Sequence, residues 1–237
     1  MSDERYAPPS ANLANAPADV PGTGTFDLGV AFSEAWAATW ANFWLLLGVG
    51  IVGLLLMVAS AVTVVGFFLL VPVLAWGGIR FMLNVLDGTA QFSDLFSGFK
   101  DYGRVLLSML ILYVLSFLIS MLGQSFSLIG GASDMPVLQW LGTPVSLAWS
   151  LLVMSRLNLA WFYAVDQGLG PVESLQAAWD ATVELKLNCA LLLIMTFIVF
   201  MLGFLALIIG VIPASMIASL LLASAYRQLA GRRSAAS

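Results

Sequence analysis

Histidine is absent from this chain of 237 residues, and Cys189 is its only cysteine. The lack of histidine excludes histidine-based zinc sites and the serine or cysteine nucleophile systems that need a histidine base. A single cysteine excludes a disulfide within the chain. We therefore expect no catalytic residues, no metal site and no cofactor.

Charge is also scarce. Charged residues make up 9% of the chain and hydrophobic residues 61%, whereas a soluble domain carries roughly 25% charge. The mean hydropathy is +0.98. The net charge of -4 gives no basic footprint for nucleic acid. The composition indicates an integral membrane protein.

Long uncharged runs predict six membrane-spanning helices, since about 20 apolar residues cross the hydrocarbon core. They are expected near 43–64, 67–86, 105–129, from 137 onward, 187–207 and 211–226. Turns near Gly66 and Gly210 join the first and last pairs closely, and Pro144 is placed to kink the fourth span. The predicted fold is all-α, with six spans in three hairpins.

The basic residues predict the orientation. With an inside amino terminus, all nine Lys and Arg residues fall on the cytoplasmic side or at inner helix ends. Both termini are then cytoplasmic. Residues 1–25, which hold four prolines, are expected to be a disordered tail, either merely solvated or a docking segment. Residues 231–237 form the other tail.

A threefold internal repeat is predicted over about 26–88, 89–168 and 169–230. Each unit has an amphipathic cytoplasmic helix followed by a hairpin. The run Ala-Trp-Ala-Ala-Thr at 35–39 recurs as Ala-Trp-Asp-Ala-Thr at 178–182. The three apolar stripes are Phe32, Trp36, Trp40 and Phe43; Phe92, Leu95, Phe96 and Phe99; and Val172, Leu175, Trp179 and Val183. These helices either lie in the headgroup region, where they contact lipid or a partner, or pack as a collar under the bundle.

Several residues are candidates for contacts with lipid. The aromatic residues expected to anchor the chain at the interface are Trp36, Trp40, Phe96, Phe99 and Trp179. Arg80, Arg156 and Arg227, one from each unit, together with Asn158, are candidate contacts for an anionic headgroup or ligand. Interfacial anchoring and internal salt bridges are the alternative roles for the arginines. If its helix continues to Val165, Arg156 lies deeper and needs an acidic or helix-end carbonyl partner.

Small residues in the first and sixth spans predict close helix contact. They are Gly48, Gly50, Gly53, Ser215, Ser219 and Ala223. The alternative is that they line a passage. The predicted span interiors contain no carboxylate, which argues against a proton- or sodium-coupled carrier.

Short segments resemble a broad group of bacterial multi-pass membrane proteins. They are 32–36, Gly-Ile-Arg at 78–80, Asp-Gly at 87–88, Asp-Leu-Phe-Ser-Gly-Phe at 94–99 and the run from Asp166 to Leu175. This group of uncharacterised families is related to the membrane domain of glycerophosphoryl diester phosphodiesterases, and the resemblance covers about 26–230. In the enzyme relatives a separate soluble domain with histidines and a metal performs hydrolysis. The resemblance therefore implies a multi-pass protein of the bacterial inner membrane without catalytic residues.

The leading expectation is a non-enzymatic scaffold or accessory protein in envelope maintenance that contacts lipids or partner proteins. The partners are membrane lipids and either further copies of the chain or other membrane proteins, with no nucleic acid. The alternative is a transporter or channel subunit for a small or lipid-like solute. A polar cavity between hairpins would favour transport or lipid binding, whereas a closed core would favour a scaffold.

Overall fold

A computed structural model describes residues 27–132, 144–183, 185–205 and 207–231. This part of the chain is helical and contains no strand. The predicted tail at 1–25, all of the predicted tail at 231–237 except Gly231, and the start of the fourth predicted span at 137–143 lie outside the described residues. The helices are α1 (Leu28–Ala41), α2 (Phe43–Ala61), α3 (Val64–Leu86), a 3-10 helix (Phe92–Phe99), α4 (Tyr102–Ala132), a π-helical segment (Ser150–Met154) that continues into α5 (Ser155–Gln167), α6 (Pro171–Thr182), α7 (Lys186–Leu205) and α8 (Leu207–Leu229).

Four helical stretches in the described part are long and apolar enough to cross a membrane. They are Phe43–Ala61, Val65–Leu86, Tyr102–Leu122 and Pro144–Gln167. A fifth follows if α6 and α7, which meet at 105°, count as one broken span. The prediction of an all-helical, multi-pass membrane protein is confirmed at this level.

The turns between helices differ from the sequence prediction in detail. The first turn lies at Val62 and Thr63, where the Thr63 side chain accepts a hydrogen bond from the Gly66 backbone N–H. Gly66 is therefore within the first turn of α3, and a serine or threonine is well suited to this capping position. Gly210 lies inside α8, so the predicted turn at that residue is wrong.

Helix α8 is the centre of the bundle. It packs most extensively against α7 and α1, and it also contacts α3 and α5. Its second half is almost wholly enclosed, and Leu220, Leu221 and Tyr226 are fully buried. Because the neighbouring helices cover this half of α8, its apolar residues are core rather than lipid-facing surface.

Helix α1 packs on α8 through its small residues. Ala31, Ala35 and Thr39 are fully buried, whereas Trp36 and Trp40 remain about half exposed. The Ser224 hydroxyl on α8 donates to the Glu34 carboxylate at 2.5 Å, and the Asp27 N–H donates to the Gln228 side chain at 2.9 Å. The aromatic stripe predicted from the sequence is therefore the outer face of α1, and the small-residue face is the inner one.

Helix α6 repeats this arrangement against α5. Ala178 and Thr182 are buried, and Trp179 is 46% exposed, close to the 47% of Trp36. Both buried threonines bond to an alanine carbonyl one turn earlier, Thr39 to Ala35 and Thr182 to Ala178, each at 2.7 Å. The two copies of the Ala-Trp-x-Ala-Thr run thus fold and pack in the same way.

The second amphipathic element is a 3-10 helix, and it packs on the bundle differently from α1 and α6. Leu95 is buried against the bundle, while Phe92, Phe96 and Phe99 are about 40% exposed. The expectation that all four share one apolar face is wrong, since Leu95 faces the bundle and the three phenylalanines face away from it. Backbones approach closely here: a Cβ on Gly77 would lie 1.8 Å from the Leu95 carbonyl oxygen.

Replacing Gly77 with alanine is expected to destabilise the protein. The added methyl would collide with the backbone of the 3-10 helix, and overpacking of this kind costs about 1–3 kcal/mol. Gly78→Ala is the matched control, because a Cβ there meets no atom within 4 Å. Thermal unfolding in detergent should show a lower Tm for Gly77→Ala only. An equal Tm for both variants would contradict this packing.

Candidate functional site

An apolar cavity of about 440 Å³ lies between α2, α3 and α8. Gly50 on α2 faces it together with Ser215 and Ser219 on α8. A Cβ built on Gly48, Gly50 or Gly53 would meet no atom within 4 Å. The prediction of close helix contact is therefore wrong at these three glycines. Gly50, Ser215 and Ser219 line an open space, whereas Ala223 is fully buried.

A second cavity, of about 370 Å³, lies between α3, α4, α5 and α8. Asn158 on α5 lines it with Trp161 and Tyr113, whose rings are 4.5 Å apart between centroids. Its walls are mostly apolar. Met82 and Ser219 belong to both cavities, so the two spaces adjoin across these residues. The sequence singled out Asn158 as a ligand contact, and the structure places it in a cavity.

Arg156 lies on a helix that continues to Gln167, and its side chain is buried. Its guanidinium donates to the Thr182 carbonyl at 3.5 Å and sits 4.2 Å from the centre of the Trp179 ring. The carbonyl belongs to the last turn of α6, where a cation interacts favourably with the helix dipole. The helix thus continues beyond Val165, as one of the two alternatives for Arg156 required, and the partner of Arg156 is a helix-end carbonyl.

Arg227 joins the ends of two helices. Its guanidinium donates to the Leu83 carbonyl on α3 at 2.7 Å and forms an ion pair with Asp87. The Arg227 side chain is 6% exposed, and that of Asp87 is 43% exposed. Two of its nitrogens, Nε and Nη1, have no hydrogen-bond partner among the described residues. Arg227 thus holds α8 to the carboxyl end of α3.

The other two arginines in the described ranges, Arg80 and Arg104, have exposed side chains. Arg104 donates to the Gly168 carbonyl, which directly follows α5, at 3.3 Å. Arg80 has neither a hydrogen bond nor an ion pair with any residue in the described ranges. Arg80, Arg156 and Arg227 therefore do not share a partner: Arg156 and Arg227 each bind a different helix end, and Arg80 faces outward.

Sequence reasoning missed the helix-end role of Arg104 and Arg227. Arg104 directly precedes a long apolar run, and in the sequence this position indicates only the orientation of the span. The partners of both are backbone carbonyls, which carry no side-chain signature. The Asp-Gly and Asp-Gln-Gly sequences at 87–88 and 166–168 do mark helix ends, since Gly88 and Gly168 have positive φ.

Aromatic rings that are half-buried or exposed form two ladders. The first runs through Phe32, Trp36, Trp40, Phe43 and Trp44, with neighbouring ring centroids 5.5–6.0 Å apart. The second runs through Phe92, Phe96, Phe99 and Tyr102, at 6.1–6.2 Å. The predicted interfacial anchors Trp36, Trp40, Phe96, Phe99 and Trp179 are all between 38% and 51% exposed. Indole rings with an exposed edge suit the boundary between lipid and water.

Comparison with known proteins gives no relative. No protein-family model, no curated protein and no solved structure matches the chain. The resemblance to the membrane domain of glycerophosphoryl diester phosphodiesterases therefore stays a prediction. Within the described ranges, no group of three or more His, Cys, Asp or Glu residues is arranged to hold a metal ion.

Replacing Arg227 with glutamine is expected to lower stability more than replacing Arg80. The first change removes a bond from a buried cation to the Leu83 carbonyl and its pairing with Asp87; hydrogen bonds to charged groups contribute about 1.5–3 kcal/mol. Arg80→Gln, at an exposed site, should change stability by less than about 0.5 kcal/mol. Thermal unfolding measures both. Equal losses would mean that Arg227 does not hold the two helix ends together.

Proposed function

We propose that the chain folds as six spans in three hairpins, each hairpin preceded by an interfacial helix, with both termini cytoplasmic in a bacterial inner membrane. The equal burial and bonding of the two Ala-Trp-x-Ala-Thr runs support a repeated unit. So do Gly88, Gly168 and Gly231, which end the second helix of each unit with positive φ. The nine basic residues on one predicted side support the orientation.

We propose that the protein is a non-enzymatic accessory protein in envelope maintenance that works by contacting membrane lipids. The observation that carries this proposal is the outward orientation of the aromatic side chains on α1, the 3-10 helix and α6. In water these large rings would be buried and the small residues exposed. The observed arrangement, with large rings exposed and small residues buried, suits a surface that faces lipid.

Arg80 is the best candidate for contact with an anionic headgroup. It is exposed on α3, and no protein partner in the described ranges occupies it. Arg156 and Arg227 are already bonded to carbonyls within the protein. A free guanidinium binds phosphate through two parallel N–H donors.

A transporter for a lipid-like solute is the second candidate, and one observation favours it. The two cavities adjoin at Met82 and Ser219 and reach from α2 to α4 across the bundle. A closed core would have favoured a pure scaffold. Because both cavities have mainly apolar walls, the solute would be lipid-like rather than an ion.

Native mass spectrometry of the protein extracted from its own membrane tests the proposed function. We expect retained lipid, with or without partner chains, in one spectrum that also gives the copy number. A bare monomer after mild extraction would contradict the proposal. Retained protein partners without lipid would favour a scaffold that acts through protein contacts alone.

The variant Arg80→Gln tests the headgroup contact. We expect it to retain less anionic lipid than the wild type, because an exposed cation is lost without loss of the fold. Arg104→Gln is the matched control, since Arg104 is also exposed but is bonded to the Gly168 carbonyl. Lipid retention would be counted in the same native spectra. Equal retention in both variants would remove Arg80 as the contact.

A further inference from the structure

The cavity that contains Asn158 is uncharged. Its walls come from four helices and include Asn158, Ser219, Tyr113, Trp161 and Gly78, with no charged side chain among its lining residues. The volume of about 370 Å³ lies within the range of roughly 300–1,000 Å³ found for small-molecule sites. An apolar cavity with a few polar groups at fixed positions is the usual form of such a site.

Asn158 is the polar group without a protein partner. Its side-chain amide, which offers two donors and one acceptor, makes no hydrogen bond to any residue in the described part of the chain, and the residue is half-buried. An amide left unpaired away from water costs about 1–3 kcal/mol. The Tyr113 hydroxyl likewise bonds to none of the described residues, while Ser219 donates to the Ser215 carbonyl at 2.9 Å and keeps its oxygen free to accept.

The adjoining cavity supplies room for a long apolar body. It shares Met82 and Ser219 with the Asn158 cavity, and aliphatic residues such as Leu46, Ile51 and Leu54 line it. On α2, Leu46 and Leu54 are eight residues apart, which is about 12 Å along a helix. The Asn158 cavity thus has polar groups for a small head, and its apolar neighbour across Met82 and Ser219 offers a surface for a hydrocarbon chain.

We propose that these cavities bind an uncharged lipid whose head carries a hydroxyl and a carbonyl group, as in a diacylglycerol. The head lies against Asn158, which donates to the carbonyl and accepts from the hydroxyl, and a chain fills the apolar cavity. A phosphate at this place would be an unpaired charge in a low-dielectric site, which is strongly unfavourable. The absence of a cation from these walls therefore selects a neutral head.

This proposal rests on the proposed lipid contact and adds the chemical class of the lipid. The test uses the full chain in detergent, with dioleoylglycerol and dioleoyl phosphatidic acid in equimolar competition. The two probes differ only in the phosphate. We expect native mass spectra to show preferential binding of dioleoylglycerol.

Two variants locate the site. Asn158→Leu keeps the side-chain size and removes the amide; the loss of one to two hydrogen bonds should weaken dioleoylglycerol binding about tenfold. Asn84→Leu is the control, because Asn84 is also a half-buried asparagine but lines neither cavity. Gly78→Leu projects a side chain into open space at the cavity wall and should also displace the lipid, which provides a second test if Asn158→Leu does not fold.

The outcomes separate this proposal from the function on which it rests. Preference for phosphatidic acid, or unchanged dioleoylglycerol binding in both Asn158→Leu and Gly78→Leu, would overturn the neutral-lipid site and leave lipid contact standing. If neither probe binds and the protein from its own membrane carries no lipid, both proposals fail.

Discussion

The close contact of small residues between the amphipathic helices and the bundle determines the rest of the structure. Ala31, Ala35 and Thr39 let α1 lie directly on α8, and Gly77 lets the 3-10 helix touch α3 backbone to backbone. Where small residues face inward, the large side chains of the same helix must face outward. The aromatic ladders and their exposure are therefore consequences of this packing, as in membrane proteins generally, where small residues bring helices together.

Arginine side chains add a second kind of contact between helices, by donating hydrogen bonds to carbonyls at helix ends. The ends of α3, α5 and α6 receive donors from Arg227, Arg104 and Arg156 respectively. Each bond places a positive charge at the negative end of a helix dipole. Trp179 takes part both in the outward-facing aromatic surface and in the arginine contacts. It is exposed on α6, and its ring also lies under the Arg156 guanidinium. Three of the four arginines in the described ranges thus bond to helix ends.

Much of the helical organisation follows from the sequence, because long uncharged runs and turn residues have few alternatives. The predicted spans near 43–64 and 187–207 match α2 and α7 to within a few residues at either end. The helix-end carbonyl that Arg156 binds is one of the two kinds of partner that the sequence predicts for it. The direction in which the aromatic stripes face was harder to predict from the sequence. Helical periodicity shows that Trp36 and Trp40 share a face, but it does not show whether that face is buried or exposed. The cavities were hardest, because Gly50 and Ser219 read equally well as contact points or as missing volume.

Helix α3 separates two chemically different surfaces. Gly78, Ile79 and Met82 face the uncharged cavity, whereas Arg80 is exposed. Successive residues of an α-helix are turned by about 100°, so Arg80 and the cavity-lining residues point in different directions. An anionic headgroup at Arg80 and a neutral head at Asn158 would therefore belong to two lipid molecules on different sides of one helix. The positions of the arginines agree with this separation: a cation beside Asn158 would attract an anionic headgroup into the cavity, and each arginine with a described partner is instead held at a helix end.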